Sequence, residues 1–448
     1  MRKFIQTIQN IWKIDDLRTR LLTTLLFVLI YRFGSFVVLP GIDPTALKAL
    51  EGQTEGGLMA LLDMFSGGAF SNASIFALGI MPYISASIVI QLLTIAVPYF
   101  QRMQKEGESG RQKMNQITRY LTVAILLFQG PSYLINLAHQ LASTGQVVSV
   151  GFNWFTISST ILLCAGSMFV MWLGERITDR GIGNGISFII LIGIIARFPG
   201  AIVQEFSLRL DGAGGLMLFM LEIIILLFVF AFAILLVQGT RRIPVQYAKR
   251  MVGNKQYGGV RQYIPLKVNS ANVMPIIFAQ AIMFIPIALA GFSGEESGAF
   301  ARAFMDNNGF WYNLVFAFLI IIFTYFYTAI VINPVQMAEH LKLNNGFIPG
   351  VKPGKKTAEY IDTVMTRLTL PGAFFLAFIA VLPAIASNVG LVNASAFAQF
   401  FGGTSLIIMV GVILDTLQQI ESKLLERHYD GFYESGMRVK GRSGAMAY

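Results

Sequence analysis

The sequence predicts an all-α polytopic membrane protein with ten transmembrane helices, and two observations carry that prediction. Ten apolar stretches succeed one another along 448 residues. Most approach the roughly 20 residues of helix that a hydrocarbon core of about 30 Å requires. The basic residues, in turn, crowd into alternate connections between those stretches. With 55% hydrophobic and 13% charged residues, a soluble enzyme on a single anchor is excluded.

Taken in order, Met1–Arg20 is a basic amphipathic arm carrying Phe4, Ile5, Ile8, Ile11 and Trp12. It reads as a helix lying in the cytoplasmic interface. The first stretch, Leu21–Leu39, is too long for the apolar region of a cleavable signal, so none is expected. Ile75–Val97, Ile117–Leu137 and Phe155–Leu173 follow. Gly185–Phe198 is short and must borrow polar-flanked residues to cross. Leu216–Val237, Val273–Phe292, Trp311–Ile332, Leu368–Ala386 and Thr404–Ile420 complete the ten.

Charge sets the orientation. The arm, the second, fourth, sixth and eighth connections and the C-terminal tail hold twenty-nine of the 34 Lys and Arg residues. The odd connections hold four (Lys48, Arg197, Arg209, Arg302), and Arg32 lies within the first stretch. Cytoplasmic segments of membrane proteins collect Lys and Arg, so both termini and the even connections are expected in the cytoplasm. A net charge of +10 concentrated on one face suits anionic lipids or an acidic or nucleic-acid-bearing partner. Cys164 is the sole cysteine, which rules out an intramolecular disulfide.

Several segments depart from an ordinary span. Leu58–Phe70 is apolar but too short to cross, and Gly67-Gly68 interrupts it; it reads either as a re-entrant piece or as a helix flat on the outer surface. The second span opens Gly79-Ile-Met-Pro-Tyr-Ile and carries Ser85, Ser87 and Gln91. The fifth opens Gly181-Ile-Gly-Asn-Gly-Ile-Ser, and the seventh Val268-Asn-Ser-Ala-Asn-Val-Met-Pro275. Helix breakers and small polar groups are costly against lipid, so these three helices are expected to face the bundle interior or water. Ile80, Ile84 and Ile88 share one helix face, as do Ile186 and Ile190; plain packing is the commoner cause of such a stripe. Arg32 is placed to snorkel outward, and Leu226 to face lipid. Glu222 is the intramembrane carboxylate, with no evident basic partner, and a local hydrogen bond or a protonated acid suits it better than a proton relay.

The sixth and eighth connections are long and basic. Gln238-Gly-Thr-Arg-Arg-Ile-Pro-Val-Gln-Tyr-Ala-Lys-Arg-Met interleaves tyrosines, and Asn345-Gly-Phe-Ile-Pro-Gly-Val-Lys-Pro-Gly-Lys-Lys is rich in Pro and Gly. Both read as ordered turns more than helices, forming a docking surface for phosphates or an acidic groove. No His-Glu-x-x-His, phosphate-binding loop or nucleophile elbow is present, so no catalytic activity, metal or cofactor is expected.

These residues resemble the SecY/Sec61 alpha family of protein-conducting channel subunits along nearly the whole chain. The most specific pieces are Met64-Phe-Ser-Gly-Gly-Ala-Phe, Ser74-Ile-Phe-Ala-Leu-Gly-Ile-Met-Pro-Tyr-Ile-Ser-Ala-Ser-Ile, Lys105-Glu-Gly-Glu-Ser-Gly-Arg, Arg180-Gly-Ile-Gly-Asn-Gly-Ile-Ser, Arg241-Arg-Ile-Pro-Val-Gln-Tyr-Ala-Lys-Arg, Pro265-Leu-Lys-Val-Asn, Tyr360-Ile-Asp-Thr-Val-Met-Thr-Arg-Leu-Thr and Phe401-Gly-Gly-Thr-Ser-Leu.

The resemblance implies an N-terminal half at 21–212 and a C-terminal half at 213–420, flanked by the arm at 1–20 and a tail at 421–448. The halves would be related by a pseudo-twofold axis and would clasp an hourglass pore. It places constriction residues at Ile80, Ile84, Ile186, Ile190, Ile277 and Ile408. It also implies a plug at about 58–71, including Leu58, Leu61, Leu62, Met64, Phe65, Gly67 and Gly68. A lateral gate would lie between the second and third spans and the seventh and eighth, near Ser85, Ser87, Gln91, Gln129 and Asn272. Docking would use Arg241, Arg242, Lys249 and Arg250 of loop 238–269 and Lys352 of loop 333–367. At Lys352 the family commonly has arginine, whose planar fork lysine lacks.

The implied function is a passive channel for secretory translocation across, and lateral insertion into, a bacterial cytoplasmic (inner) membrane. A bound motor or ribosome would drive it. The implied partners are the small subunits SecE and SecG, the SecA motor ATPase, the ribosome, signal peptides and nascent chains as substrates, and, further out, SecDF and YidC. The alternative from another class is a secondary transporter, which shares inverted repeats and broken helices but should carry charges that coordinate substrate at mid-span.

Overall fold

The computed structural model describes residues 14–42, 63–142, 154–210, 215–247, 250–252, 255–257, 261–271, 273–280, 282–283 and 309–436. The interfacial arm at 1–13 therefore lies outside the described residues.

Helix forms in every one of the ten apolar stretches. In α1 (Asp15–Gly34), Asp15 and Asp16 occupy the first turn, where carboxylates oppose the positive end of the helix dipole. The helix stops short of Leu39 for a steric reason. At its last residue a Cβ would stand 2.0 Å from the Phe76 ring, so only glycine fits at position 34, and the chain turns just beyond it. Leu39 N then donates to Ala73 O and Ile75 N to Val37 O, each at 2.9 Å. That pairing also delays the second span. Residues 75–80 are turns rather than helix, and α2 (Met81–Ala96) starts with Pro82 in its first turn, where the missing N–H costs nothing. At Val97 the chain bends by 100° into α3 (Pro98–Lys105), because the residue before a proline is driven out of the helical region.

The third to sixth spans are α4 (Glu108–Ala142), α5 (Trp154–Arg180), α6 (Gly185–Leu210) and α7 (Gly215–Gln238). The fifth stretch solves its shortness by running on through Pro199 to Leu210. Arg197 and Arg209, assigned to a connection by charge counting, are therefore helical. The seventh stretch is helical at 274–280 and 282–283. Then come α8 (Phe310–Val331) and α9 (Pro334–Leu343), where the Asn333 side chain caps the helix by accepting from Val335 N and Gln336 N. The bundle ends with α10 (Lys355–Asn388), α11 (Ser395–Ala398) and α12 (Gly403–Gly436).

Among the described residues, 6 helices are long and apolar enough to cross a membrane, or 7 if the bent α2–α3 pair is one span. Their outward faces carry a surface no aqueous protein would tolerate. On α7 alone, Met217, Ile224, Leu227, Phe228 and Leu235 are exposed. Leu226, expected to face lipid, is instead 4% exposed and packs inward.

The core has two main parts. One gathers α1, α5, α6 and the segment 392–412 around residues 64–80. The other gathers α7, α8, α10 and α12 around Ile276, Ala279 and Met283 of the seventh stretch. Helix α6 packs on both α7 and α12, so it joins the two.

The sixth connection is not a set of turns. It is an antiparallel hairpin of β1 (Thr240–Tyr247) and β4 (Arg261–Lys267), in register from Thr240↔Lys267 to Gln246↔Arg261. Beyond it, β2 (Arg250–Val252) pairs with β3 (Lys255–Tyr257). The eighth connection adds β5 (Gly346–Phe347) to the far edge of β1, through Gln246↔Phe347 and Tyr247↔Gly346. Pro244 is tolerated in β1 because β5 does not reach it, leaving one side of the strand open there. The strand alternates correctly: Ile243 and Val245 are buried against Leu341, Ile361 and Met365, while Arg241, Arg242 and Pro244 are exposed.

Candidate functional site

The short apolar segment resolves the open choice between a flat surface helix and a re-entrant piece. Residues 63–70 are all buried, with a helical turn at 63–66, so the segment re-enters the bundle. Gly67 and Gly68 take φ of +66° and +92°, a region that costs a side-chain-bearing residue energy. Space excludes a side chain too: a Cβ on Gly67 would meet Gly193 Cα at 2.8 Å. The backbone of this segment thus lies directly against α6. Leu58, Leu61 and Leu62 lie outside the described residues, while Met64 and Phe65 sit in the first core cluster.

Charged and polar side chains hold this segment. Tyr31 Oη donates to Ser66 O at 3.1 Å and Arg32 Nη1 to Gly67 O at 2.8 Å. Arg32 also lies 5.2 Å above the Phe36 ring. It does not simply snorkel; it reaches the re-entrant segment. Tyr133 Oη donates to Phe70 O at 2.8 Å, and its ring meets Phe70 edge-on. Arg197 Nη2 pairs with Asp63 and donates to Ser71 Oγ at 2.7 Å. A cavity of about 410 Å³ opens beside these groups, bounded across by Ala396, Gln399 and Phe400.

Beneath the segment the six isoleucines come together. Ile80, Ile190 and Ile408 are buried in one apolar cluster, and Ile84, Ile186 and Ile277 pack against it half-buried. They come from the N-cap and first turn of α2, from α6, from the seventh stretch and from α12, so elements far apart in sequence contribute. Met64 and Phe65 belong to the same cluster. Fourfold spacing could show two pairs on helix faces; it could not show that four distant elements converge.

The polar residues of α2 are less telling. Ser85 Oγ donates to Met81 O at 3.1 Å and Gln91 Nε2 to Ser87 Oγ at 3.3 Å, both within the helix. Gln129 is half-buried on α4, which packs against α2. Asn272 lies outside the described residues. In the seventh stretch, Phe278 lies tilted against Phe323 and Tyr327 of α8, centroids 5.7 and 6.0 Å apart.

Of the basic residues that the resemblance marks for docking, Arg241 and Arg242 are exposed on β1, opposite Leu266 and Pro265. Lys352 is exposed in the turn before α10, its carbonyl accepting from Thr357 Oγ1 at 2.9 Å. Arg250 is on β2, and Lys249 lies outside the described residues. One sheet therefore ties the two basic loops into a single platform.

Glu222 does have a basic partner, which corrects the sequence reading. Arg209 Nη2 lies 2.5 Å from Glu222 Oε1, in a close ion pair. Arg209 Nε also donates to Glu205 Oε1 at 3.0 Å and Arg209 Nη2 to Leu391 O at 2.8 Å. Glu205 in turn accepts from Asn393 N and Ala394 N at 3.2 and 2.6 Å. Both Glu205 and Arg209 escaped the sequence reading because they fell beyond the apolar stretch. Their i, i+4 spacing was the available signal.

Comparison with known proteins agrees with this arrangement. A family model described as SecY matches residues 74–417. The chain is similar to a protein translocase subunit SecY of Streptomyces scabiei, 44% identical over 434 residues, covering 94% of this chain and 98% of the relative. Among solved structures it is similar to one described as "The structure of a protein conducting channel", with TM-score 0.62 and 17% identity over 90% of this chain and 92% of that one. It is also similar to Sec61 in the canine ribosome–channel complex from the endoplasmic reticulum, with TM-score 0.57 and 15% identity over 90% and 92% of the two chains.

Proposed function

The chain belongs to the SecY family, and from that premise we propose that its six clustered isoleucines form the constriction through which a secretory polypeptide passes. It is a subunit of a protein-conducting channel in a membrane, a non-enzymatic role. The observation that carries the reading of the site is the convergence of Ile80, Ile84, Ile186, Ile190, Ile277 and Ile408 in one cluster beneath a buried re-entrant segment. A girdle of branched apolar side chains is poorly wetted and resists ions, yet holds no charge that would trap a passing chain.

On this reading residues 58–71 are the plug. The seam between α2–α4 and the seventh span–α8 is the lateral gate, through which an apolar segment leaves into lipid. The ten spans form two inverted halves, and both termini and the even connections face the cytoplasm. The platform of β1, β4 and β5 then presents Arg241, Arg242 and Lys352 toward the ribosome or the SecA motor. SecE and SecG complete the complex. Glu205 and Glu222 are ion-paired with Arg209 near the ends of α6 and α7, and Glu205 and Arg209 also bond backbone groups there. They therefore do not supply the mid-span substrate site a transporter would need.

Site-specific photocrosslinking tests the constriction. With a crosslinker at position 190 and a secretory precursor stalled midway, a crosslink is expected at 190 and none at the exposed Leu227. A membrane-engaged precursor that crosslinks at neither position would place the pore elsewhere.

A further inference from the structure

The polar contacts that seat the re-entrant segment come from α1, α4 and α6, all in the N-terminal half. Most of them reach main-chain carbonyls: Tyr31 to Ser66, Arg32 to Gly67, Tyr133 to Phe70. The Arg197–Asp63 ion pair differs in kind, because it joins charge to charge. Asp63 also does two things at once. One carboxylate oxygen accepts from Ser71 N at 2.8 Å, which closes residues 63–71 into a compact turn. The other faces Arg197, which itself reaches Ser71 Oγ at 2.7 Å. The same carboxylate thus fixes the segment's shape and its attachment to α6.

We propose that Arg197 and Asp63 form the latch of the plug, with Arg197 a positioning residue whose release from Asp63 frees the segment from α6. The inference rests on reading 63–71 as the plug of a channel. Solvent access makes the latch reversible. The Asp63 side chain is 9% exposed and that of Arg197 32%, the latter bordering the cavity. A pair half out of water is stronger than a surface pair, yet both charges can rehydrate when they part. The cations lining the cavity are Arg197 of α6 and Arg32 of α1, while Ala396, Gln399 and Phe400 carry no charge. A displaced plug therefore keeps its charge partners on α1 and α6.

The test uses the complete channel complex, reconstituted in planar bilayers without precursor. Asp63→Asn and Arg197→Gln are each expected to raise the basal open frequency by about tenfold, the size of one partly buried charge contact. The double variant should add nothing further, since both changes break one contact. Arg197→Lys should restore most of the closure, and Asp63→Asn should also let a precursor with a weakened signal sequence through. Neither effect follows from a merely structural role. Ile190→Gly serves as the independent report on the constriction. If Ile190→Gly leaks and the latch variants do not, the latch is overturned while the channel reading stands. If none leaks, both fall; additive effects in the double variant overturn the pairing. Should Arg197→Gln accumulate poorly, the isosteric Asp63→Asn carries the same comparison.

Discussion

Arg209 of α6 and Glu222 of α7 meet at 2.5 Å across the junction between the two helices. Their side chains are 4% and 1% exposed, and Glu205 beside them is wholly buried. Through Leu391 O, Asn393 N and Ala394 N the same cluster binds the segment that follows α10. Two carboxylates and one guanidinium thus staple the end of α6 to the start of α7 and to the connection leading into α12. If the halves move apart during transport, this end is built to stay closed.

Removing the shared cation is the severe change. Arg209→Met strands two buried carboxylates and should cost about 3–5 kcal/mol. Glu222→Gln leaves the Arg209–Glu205 pair intact and should cost about 1 kcal/mol. Thermal unfolding of the detergent-solubilised complex, followed by size exclusion, ranks the two. Equal losses would mean that Arg209 serves Glu222 alone.

Much of this architecture was readable before any coordinates, and the misses have physical causes. Helix positions were legible because lipid demands apolar length. Buried charge was not legible at Glu205, Arg209 and Asp63, because their partners lie far off in sequence or past the apolar window. The sheet was missed because Pro and Gly in 238–269 and 344–354 mask the alternation of Ile243 and Val245. Ile80, Ile84, Ile186 and Ile190 show only helix faces in sequence. That Ile277 and Ile408 join them is a tertiary fact, which the family resemblance anticipated and periodicity could not.

Shrinking one member of the isoleucine cluster should open it to water. Ile190 is 2% exposed, and Ile190→Gly leaves a cavity at the cluster's centre that neighbouring side chains only partly refill. The expected outcome is a raised ion conductance of the resting complex in planar bilayers. Val at the same position, one methylene smaller, should leak far less. Unchanged conductance in the glycine variant would count against a constriction at 190.

The platform predicts a salt-sensitive partner. Arg241→Glu with Arg242→Glu reverses two exposed charges without touching the buried Ile243. Binding of ribosomes to channel-containing vesicles should weaken most at low salt and converge with the unaltered protein near 1 M, where screening shrinks the reach of a charge to about 3 Å. A deficit of the same size at all salt concentrations would point to lost shape rather than lost charge.

Because β5 pairs with β1, damage to one loop should reach the other. Ile243 packs with Leu341, Ile361 and Met365 beneath the sheet, and Ile243→Ala should cost about 2–4 kcal/mol of local stability. Trypsin should then cleave faster not only after Arg241 and Arg242 but also after Lys355, where the other loop enters α10. Faster cleavage confined to the first loop would show that the two fold independently.

Gly193 offers a way to unseat segment 63–71 without altering any charge. A Cβ there would stand 2.7 Å from Phe65 O and 3.2 Å from Gly67 N, both main-chain atoms that cannot swing aside. Gly193→Ala must therefore push segment 63–71 off α6, while its own helical conformation improves by about 1 kcal/mol relative to glycine. The two effects have opposite signs, and this separates them: thermal stability of α6 should hold or rise while resting conductance increases. Arg32 and Tyr133 still grip the plug from α1 and α4, so the leak should be smaller than that of Ile190→Gly. A variant that is tight to ions would mean that the segment shifts as a body without breaking its seal. The close contact with Gly193 would then be packing alone.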